Sequence, residues 1–196
     1  MRLALYFETR QLFKNHFGIT SGMNYFELFE IPVSLTVDQK KVASQYFALQ
    51  KKYHPDYFTN ANEEEQNEAL EKSSLINKGF KTLKEPDALI KYVLEIKGLL
   101  VEEEKYELPP DFLMEMMELN EALMDDDILN VEETETKIFQ LEKTLYAEVQ
   151  NIVENYNEER TTDAQLLQVK DYYYKRKYLK RILERLGGMR NIASQN

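Results

Sequence analysis

The chain has no cysteine, no tryptophan, two histidines (His16 and His54), six glycines and five prolines in 196 residues. Each shortage removes a class of chemistry. Without cysteine there is no disulfide, no thiolate nucleophile and none of the Cys-rich ligand sets on which most structural zinc sites depend. No metal and no cofactor is expected, and the composition fits a reducing compartment. Two histidines leave little material for a histidine-based active site, and no Gly-rich phosphate loop is present, so the chain is not expected to be an enzyme. No run approaches the roughly 18 to 20 consecutive apolar residues of a membrane span, and no membrane partner is expected. Little glycine and proline, with 31% charged and 43% hydrophobic residues, favours helices over strands. The length suits one domain or two small ones.

Charge is abundant and unevenly placed. A net charge of -10 opposes a nucleic-acid partner, whose affinity would come from neutralising phosphates. Residues 23–86 carry 8 lysines against 10 acids, residues 87–169 carry 6 basic and 22 acidic residues, and residues 170–196 carry 8 basic and 2 acidic. A nearly neutral front module, an acidic middle and a basic last helix follow. The basic helix is expected to pack beside acidic ones in one bundle. The row Tyr172-Tyr173-Tyr174 with Lys175, Arg176 and Lys177 is read as packing with cation–π contacts, in preference to stacking on nucleic-acid bases.

Residues 1–22 stand apart as an N-terminal extension, with Arg2, Arg10 and Lys14 against Glu8. They partly match a mitochondrial presequence; an extension or misplaced start before Met23 is preferred. Asn24 to Phe29 then read as a short apolar helix closed by Ile31-Pro32. Thr36 is a candidate N-cap, with Gln39 completing a capping box, for a helix running to about Tyr53. Val42, Tyr46, Leu49 and Tyr53 form one stripe, while Lys40, Lys41, Lys51 and Lys52 fall on roughly the opposite face. Pro55 ends this helix. A polar loop from Tyr57 to Asn62 leads to a third helix from about Glu63, in which Ala69, Ile76, Phe80 and Leu83 keep helical spacing until Pro86. An apolar segment follows over 88–100. Residues 101–110, ending Pro109-Pro110, are assigned as a linker. Helical stretches at about 111–125, 131–157 and 163–186, the last stopped by Gly187-Gly188, make an antiparallel three-helix bundle over 111–188, with a tail at 189–196.

The basic helix, the tripeptide His54-Pro55-Asp56 and the following Ile76-Asn77-Lys78-Gly79-Phe80-Lys81-Thr82-Leu83-Lys84-Glu85-Pro86 together resemble a J domain, here residues 23–100. Tyr25-Phe26-Glu27-Leu28-Phe29 at its start, and Phe112-Leu113-Met114-Glu115-Met116-Met117-Glu118-Leu119 after the linker, are similar to the HscB family. That family comprises co-chaperones of iron–sulfur cluster assembly. The resemblance implies an all-α chain, with an N-terminal J domain joined to a C-terminal three-helix bundle. Three departures stand out. Leu89 occupies a position where J domains often carry arginine. Gly79 replaces the usual alanine, at a cost of about 1 kcal/mol in helix propensity. The cysteine zinc module of some eukaryotic relatives is absent.

The resemblance assigns two surfaces. His54, Pro55 and Asp56, with Lys40, Lys41, Lys51 and Lys52, would bind a DnaK/HscA-type chaperone and stimulate its ATPase. Leu113, Met114, Met117, Glu118 and Glu121, with Asp125 and Tyr174, would hold an IscU-type iron–sulfur scaffold protein. From periodicity alone the Leu113–Glu121 stripe reads as core. A J protein with a different client, or a helical interaction protein with an inactive J domain, stays open beside this reading. A monomer in the cytoplasm is expected, with the mitochondrial matrix as the alternative.

Overall fold

The structure, a computed structural model, describes residues 23–122 and 128–193. The N-terminal extension and Asp125 lie outside the described residues. Among the described residues there are seven α-helices and no strand. The chain divides into two compact units, Met1–Leu100 with Tyr156–Arg160, and Val101–Asn155 with Thr161–Asn196.

In the first unit, α1 (Tyr25–Leu28) is opened by Asn24. Its side chain accepts from the Glu27 amide, and Glu27 returns the bond to the Asn24 amide, a capping box. Glu30 then takes a left-handed conformation, φ 52°, which turns the chain away from α1. The next helix, α2 (Gln39–Tyr53), is capped by Asp38 and not by Thr36. The Asp38 carboxylate accepts from the Lys40 and Lys41 amides at 2.8 and 3.3 Å. A carboxylate satisfies these unpaired donors and the positive end of the helix dipole better than a hydroxyl does. Gln39, released from the box, donates instead to the Lys84 carbonyl.

A short 3-10 turn, Pro55–Phe58, connects α2 to α3 (Glu63–Lys84), which Asn62 and Glu65 open with a second capping box. The two long helices run antiparallel. Tyr46 stacks on Phe80 at 4.2 Å, and Asn77 Oδ1 accepts from both Tyr46 Oη and Gln50 Nε2, at 2.9 and 2.8 Å. Lys72 lies over the Tyr53 ring at the loop end. Pro86 ends α3 and also occupies the first turn of α4 (Pro86–Ile96), where its missing N–H costs nothing. Tyr92 of α4 is buried beneath α1. Its ring stacks on Tyr25 at 4.6 Å, and its hydroxyl accepts from the Tyr25 amide at 2.8 Å.

Gly79 has a reason that propensity does not reveal. A Cβ there would sit 2.9 Å from Phe29 Cε2 and 3.1 Å from Tyr25 Cδ1. The glycine lets α1 lie directly on α3.

In the second unit, α5 (Pro110–Ala122), α6 (Ile128–Glu154) and α7 (Asp163–Ala193) form an up-down-up bundle. Arg176 pairs with Glu142, and Tyr172 approaches Tyr146, so α6 and α7 are antiparallel. Phe112 meets Tyr178, and Arg185 donates to Asn120, so α5 runs parallel to α7. The core takes Met116 from α5, Ile138 and Val149 from α6, and Val169, Leu179 and Leu186 from α7. Two expectations are corrected here. Gly187-Gly188 does not stop the last helix, which continues to Ala193; glycine costs about 1 kcal/mol in a helix but does not forbid it. Within the segment read as a linker, Tyr106 stacks on Tyr174 at 4.3 Å and donates to Asp171 Oδ1, and Glu104 pairs with Lys170 at 2.5 Å. Those side chains bind it to α7.

Candidate functional site

The first candidate site is built by the end of α2. His54 is the C-cap of that helix and, at the same time, the N-cap of the 3-10 turn. Its backbone is extended (φ -66°, ψ 129°), as the residue before a proline requires. The direction of the chain therefore changes at this residue, and the side chains of His54 and Asp56 stand out, 47% and 83% exposed. The Asp56 amide donates to His54 Nδ1 at 3.3 Å. Asp56 Oδ2 lies 3.6 Å from the same nitrogen. The His54 imidazole and the Asp56 carboxylate thus stand together at one fixed corner. Such a corner suits recognition of a cation beside a carbonyl, and an arginine fits the carboxylate well.

Lys40, Lys41, Lys51 and Lys52 are all exposed, while Val42 faces the core at 0% exposure. The expected division of α2 into an apolar and a basic side is therefore present. Two aromatic residues are also exposed, one on α2 and one in the 3-10 turn. Phe47 and Tyr57 are each 70% exposed, and Tyr57 stands edge-on to His54 at 6.0 Å. Helical spacing could have placed Phe47 beside the lysines, but an aromatic residue is ordinarily assigned to the core. Leu89, where an arginine is common in J domains, is 2% exposed and packs inside the first unit.

The second candidate site lies on α5. Leu113, Met114 and Met117 are exposed, the two methionines at 62% and 63%, and Glu118 and Glu121 are exposed beside them. The opposite face, Phe112, Met116 and Leu119, supplies the core. Periodicity alone assigned the Leu113 stripe to the core, and the structure reverses that assignment. Both faces of α5 carry apolar residues, so spacing could not tell which one the bundle covers. Tyr174 is half-buried and stacked on Tyr106, with Lys177 at 6.0 Å from its centroid. Its ring is stacked against the segment that precedes α5. In the same helix Tyr172 and Tyr173 are buried, Lys175 pairs with Asp171 and Arg176 with Glu142, which is the packing expected for that row. Among the described residues no three His, Cys, Asp or Glu side chains are grouped to hold a metal ion, and no helix is long and apolar enough to cross a membrane.

Comparison with known proteins agrees with this architecture. Residues 108–187 match the family model described as the HSCB C-terminal oligomerisation domain. A curated relative from Vibrio cholerae, named co-chaperone protein HscB homolog, is 42% identical over 102 residues, and the match spans 60% of that relative's length. A relative of the same name from Shewanella woodyi is 32% identical over 170 residues, covering 84% of this chain and 97% of the relative. Among solved structures, chaperone HscB from Vibrio cholerae superposes with a TM-score of 0.67 at 28% identity, over 88% of this chain and 99% of that one. The human co-chaperone protein HscB superposes with a TM-score of 0.72 at 28% identity, over 84% and 81%. A chain whose described residues form helices only, with a capped helical hairpin, an exposed His-Pro-Asp corner and this bundle, and which spans 97% of the Shewanella relative at 32% identity, belongs to the HscB co-chaperone family.

Proposed function

We propose that this protein stimulates the ATPase of a DnaK/HscA-type chaperone and delivers an IscU-type iron–sulfur scaffold protein to it. The observation that carries the reading is the corner formed by His54, Pro55 and Asp56, exposed at the end of a helix whose lysine face is uncovered. Long-range attraction from Lys40, Lys41, Lys51 and Lys52 would raise the encounter rate with an acidic surface and set its orientation. Asp56 would then accept charge-assisted hydrogen bonds from an arginine of the chaperone. The protein performs no chemistry itself. By binding one conformation of its partner more tightly, it shifts that partner towards the hydrolysing state.

Scaffold delivery belongs to α5. An exposed Leu113, Met114 and Met117 stripe suits a protein partner because thioether side chains are flexible and polarisable. Glu118 and Glu121 favour a basic rim on that partner. Asp125 extends the proposed acidic edge by sequence position, and Tyr174 would add an aromatic ring to the scaffold-binding surface. The curated relatives described above are bacterial, and a cytoplasmic site of action is the corresponding proposal.

The test is single-turnover ATP hydrolysis by the organism's DnaK-class chaperones, with this protein and its cluster scaffold added separately and together. Stimulation is expected from the protein, with more in the presence of scaffold and none from His54→Gln. Stimulation without scaffold synergy would refute the iron–sulfur client. An inert but folded wild type would refute the co-chaperone reading itself.

A further inference from the structure

Phe47 is 70% exposed although it is one of the largest apolar side chains in the chain. Its position on α2 is specific. Residues seven apart on a helix differ by only about 20° in azimuth and about 10 Å along the axis. Lys40, Phe47 and His54 are spaced by seven and seven, so they fall on one line down the helix. Lys51, one turn beyond Phe47, lies about 40° from that line. The intervening exposed residues Ser44 and Ala48 are small, which leaves the ring standing above its surroundings. A partner that touches the lysines and the His54 corner at once must cover Phe47.

We infer that Phe47 is an apolar anchor for the chaperone, entering a recess in an otherwise acidic docking surface about 10 Å along the helix from the point that meets His54. The inference rests on the chaperone reading given above and names the residue that would give it specificity. The charge of the surroundings commits the occupant. Lysines at Lys40, Lys41, Lys51 and Lys52 demand an acidic partner, yet an acidic surface without an apolar recess would leave the ring against carboxylates. Lysine pairs alone attract any acidic protein, and their attraction is screened at high ionic strength. An exposed aromatic residue between Lys40 and Lys51 along the helix has the usual anatomy of an interface hot spot, an apolar centre with a polar rim. It converts unselective attraction into a choice of partner.

The experiment uses the full chain, with Phe47→Ser, Phe47→Leu and a Lys51→Ala/Lys52→Ala variant, and His54→Gln as the control for the chaperone reading. The readout is the concentration giving half-maximal stimulation of single-turnover ATP hydrolysis, at low and high salt. Thermal melts should be unchanged for the Phe47 variants, whose side chain is largely outside the core. Phe47→Ser is expected to raise the half-maximal concentration about ten-fold, the usual result of truncating a hot-spot aromatic. Phe47→Leu should recover part of the loss. The Phe47→Ser defect should persist in high salt, where the lysine variant converges on the wild type. Wild-type behaviour of Phe47→Ser, with His54→Gln inactive, overturns the anchor while leaving the chaperone reading intact. A wild type that fails to stimulate overturns the chaperone reading, and the anchor with it.

Discussion

Replacing Gly79 by alanine sets two well-defined effects against each other. Alanine is favoured over glycine within a helix by about 1 kcal/mol, so a reading from the sequence of α3 alone expects Gly79→Ala to stabilise. The packing opposes it. The new Cβ would lie 2.9 Å from Phe29 Cε2 and 3.1 and 3.3 Å from the Tyr25 ring. Neither ring can yield easily. Phe29 is 0% and Tyr25 3% exposed, and Tyr25 is fixed to Tyr92 by ring stacking and by its own amide. Overpacking of this kind costs about 1–3 kcal/mol, and with two immobile rings the upper part of that range applies. The net expectation is a loss of about 1–2 kcal/mol once the propensity gain of about 1 kcal/mol is subtracted. The assay is urea unfolding of the full chain by circular dichroism, together with hydrogen exchange in residues 24–29, which should accelerate. A companion variant, Phe29→Leu, removes the nearest atom, so the double variant should cost less than the sum of the two by at least about 0.5 kcal/mol. A Gly79→Ala protein more stable than the wild type, or strict additivity with Phe29→Leu, would refute the close-approach account.

Two further outcomes follow from burial. Burial raises the Tyr92 phenol well above its ordinary value near 10, outweighing the amide of Tyr25, whose hydrogen bond acts in the opposite direction. The neutral phenol is therefore the form the fold prefers. Its contribution is complete below about pH 10 and is lost as pH rises towards the folded value, because the unfolded chain releases that proton first. Tyr92→Phe should cost about 1–3 kcal/mol at neutral pH by leaving the Tyr25 amide unsatisfied. It should also flatten the alkaline decline in stability, measured by urea unfolding across that range. On α5, Met114 and Met117 should be oxidised by dilute peroxide well before Met116, which is 0% exposed, as read by peptide mass analysis. Met116→Ala should lose about 2–5 kcal/mol, whereas Met114→Ala should stay within about 0.5 kcal/mol. Equal oxidation of all three would contradict the orientation of α5.

Much of this protein was determined locally by its sequence. The helices of the first unit follow from apolar spacing interrupted by Pro55 and Pro86, which act through φ restriction and a missing N–H wherever they occur. The His54 corner is equally local, since a residue before proline must be extended. The basic side of α2 follows from the helical period, given Val42 on the other side. The tertiary structure decided what no period encodes. The cap of α2 fell to Asp38 because two amides could share one carboxylate there, and α7 outran Gly187-Gly188 because glycine only weakens a helix. Gly79 acquired its purpose from Phe29, some fifty residues away in the chain. On α5 both Met116 and Met117 suit an apolar face, and only the presence of α6 and α7 on one side decides which becomes core. Phe47 makes the same point in reverse. Its chemistry says interior, and it remains outside because Val42 and Tyr46 already occupy the side of α2 that α3 covers. Burial depends on which surfaces meet, and that is a property of the assembled helices.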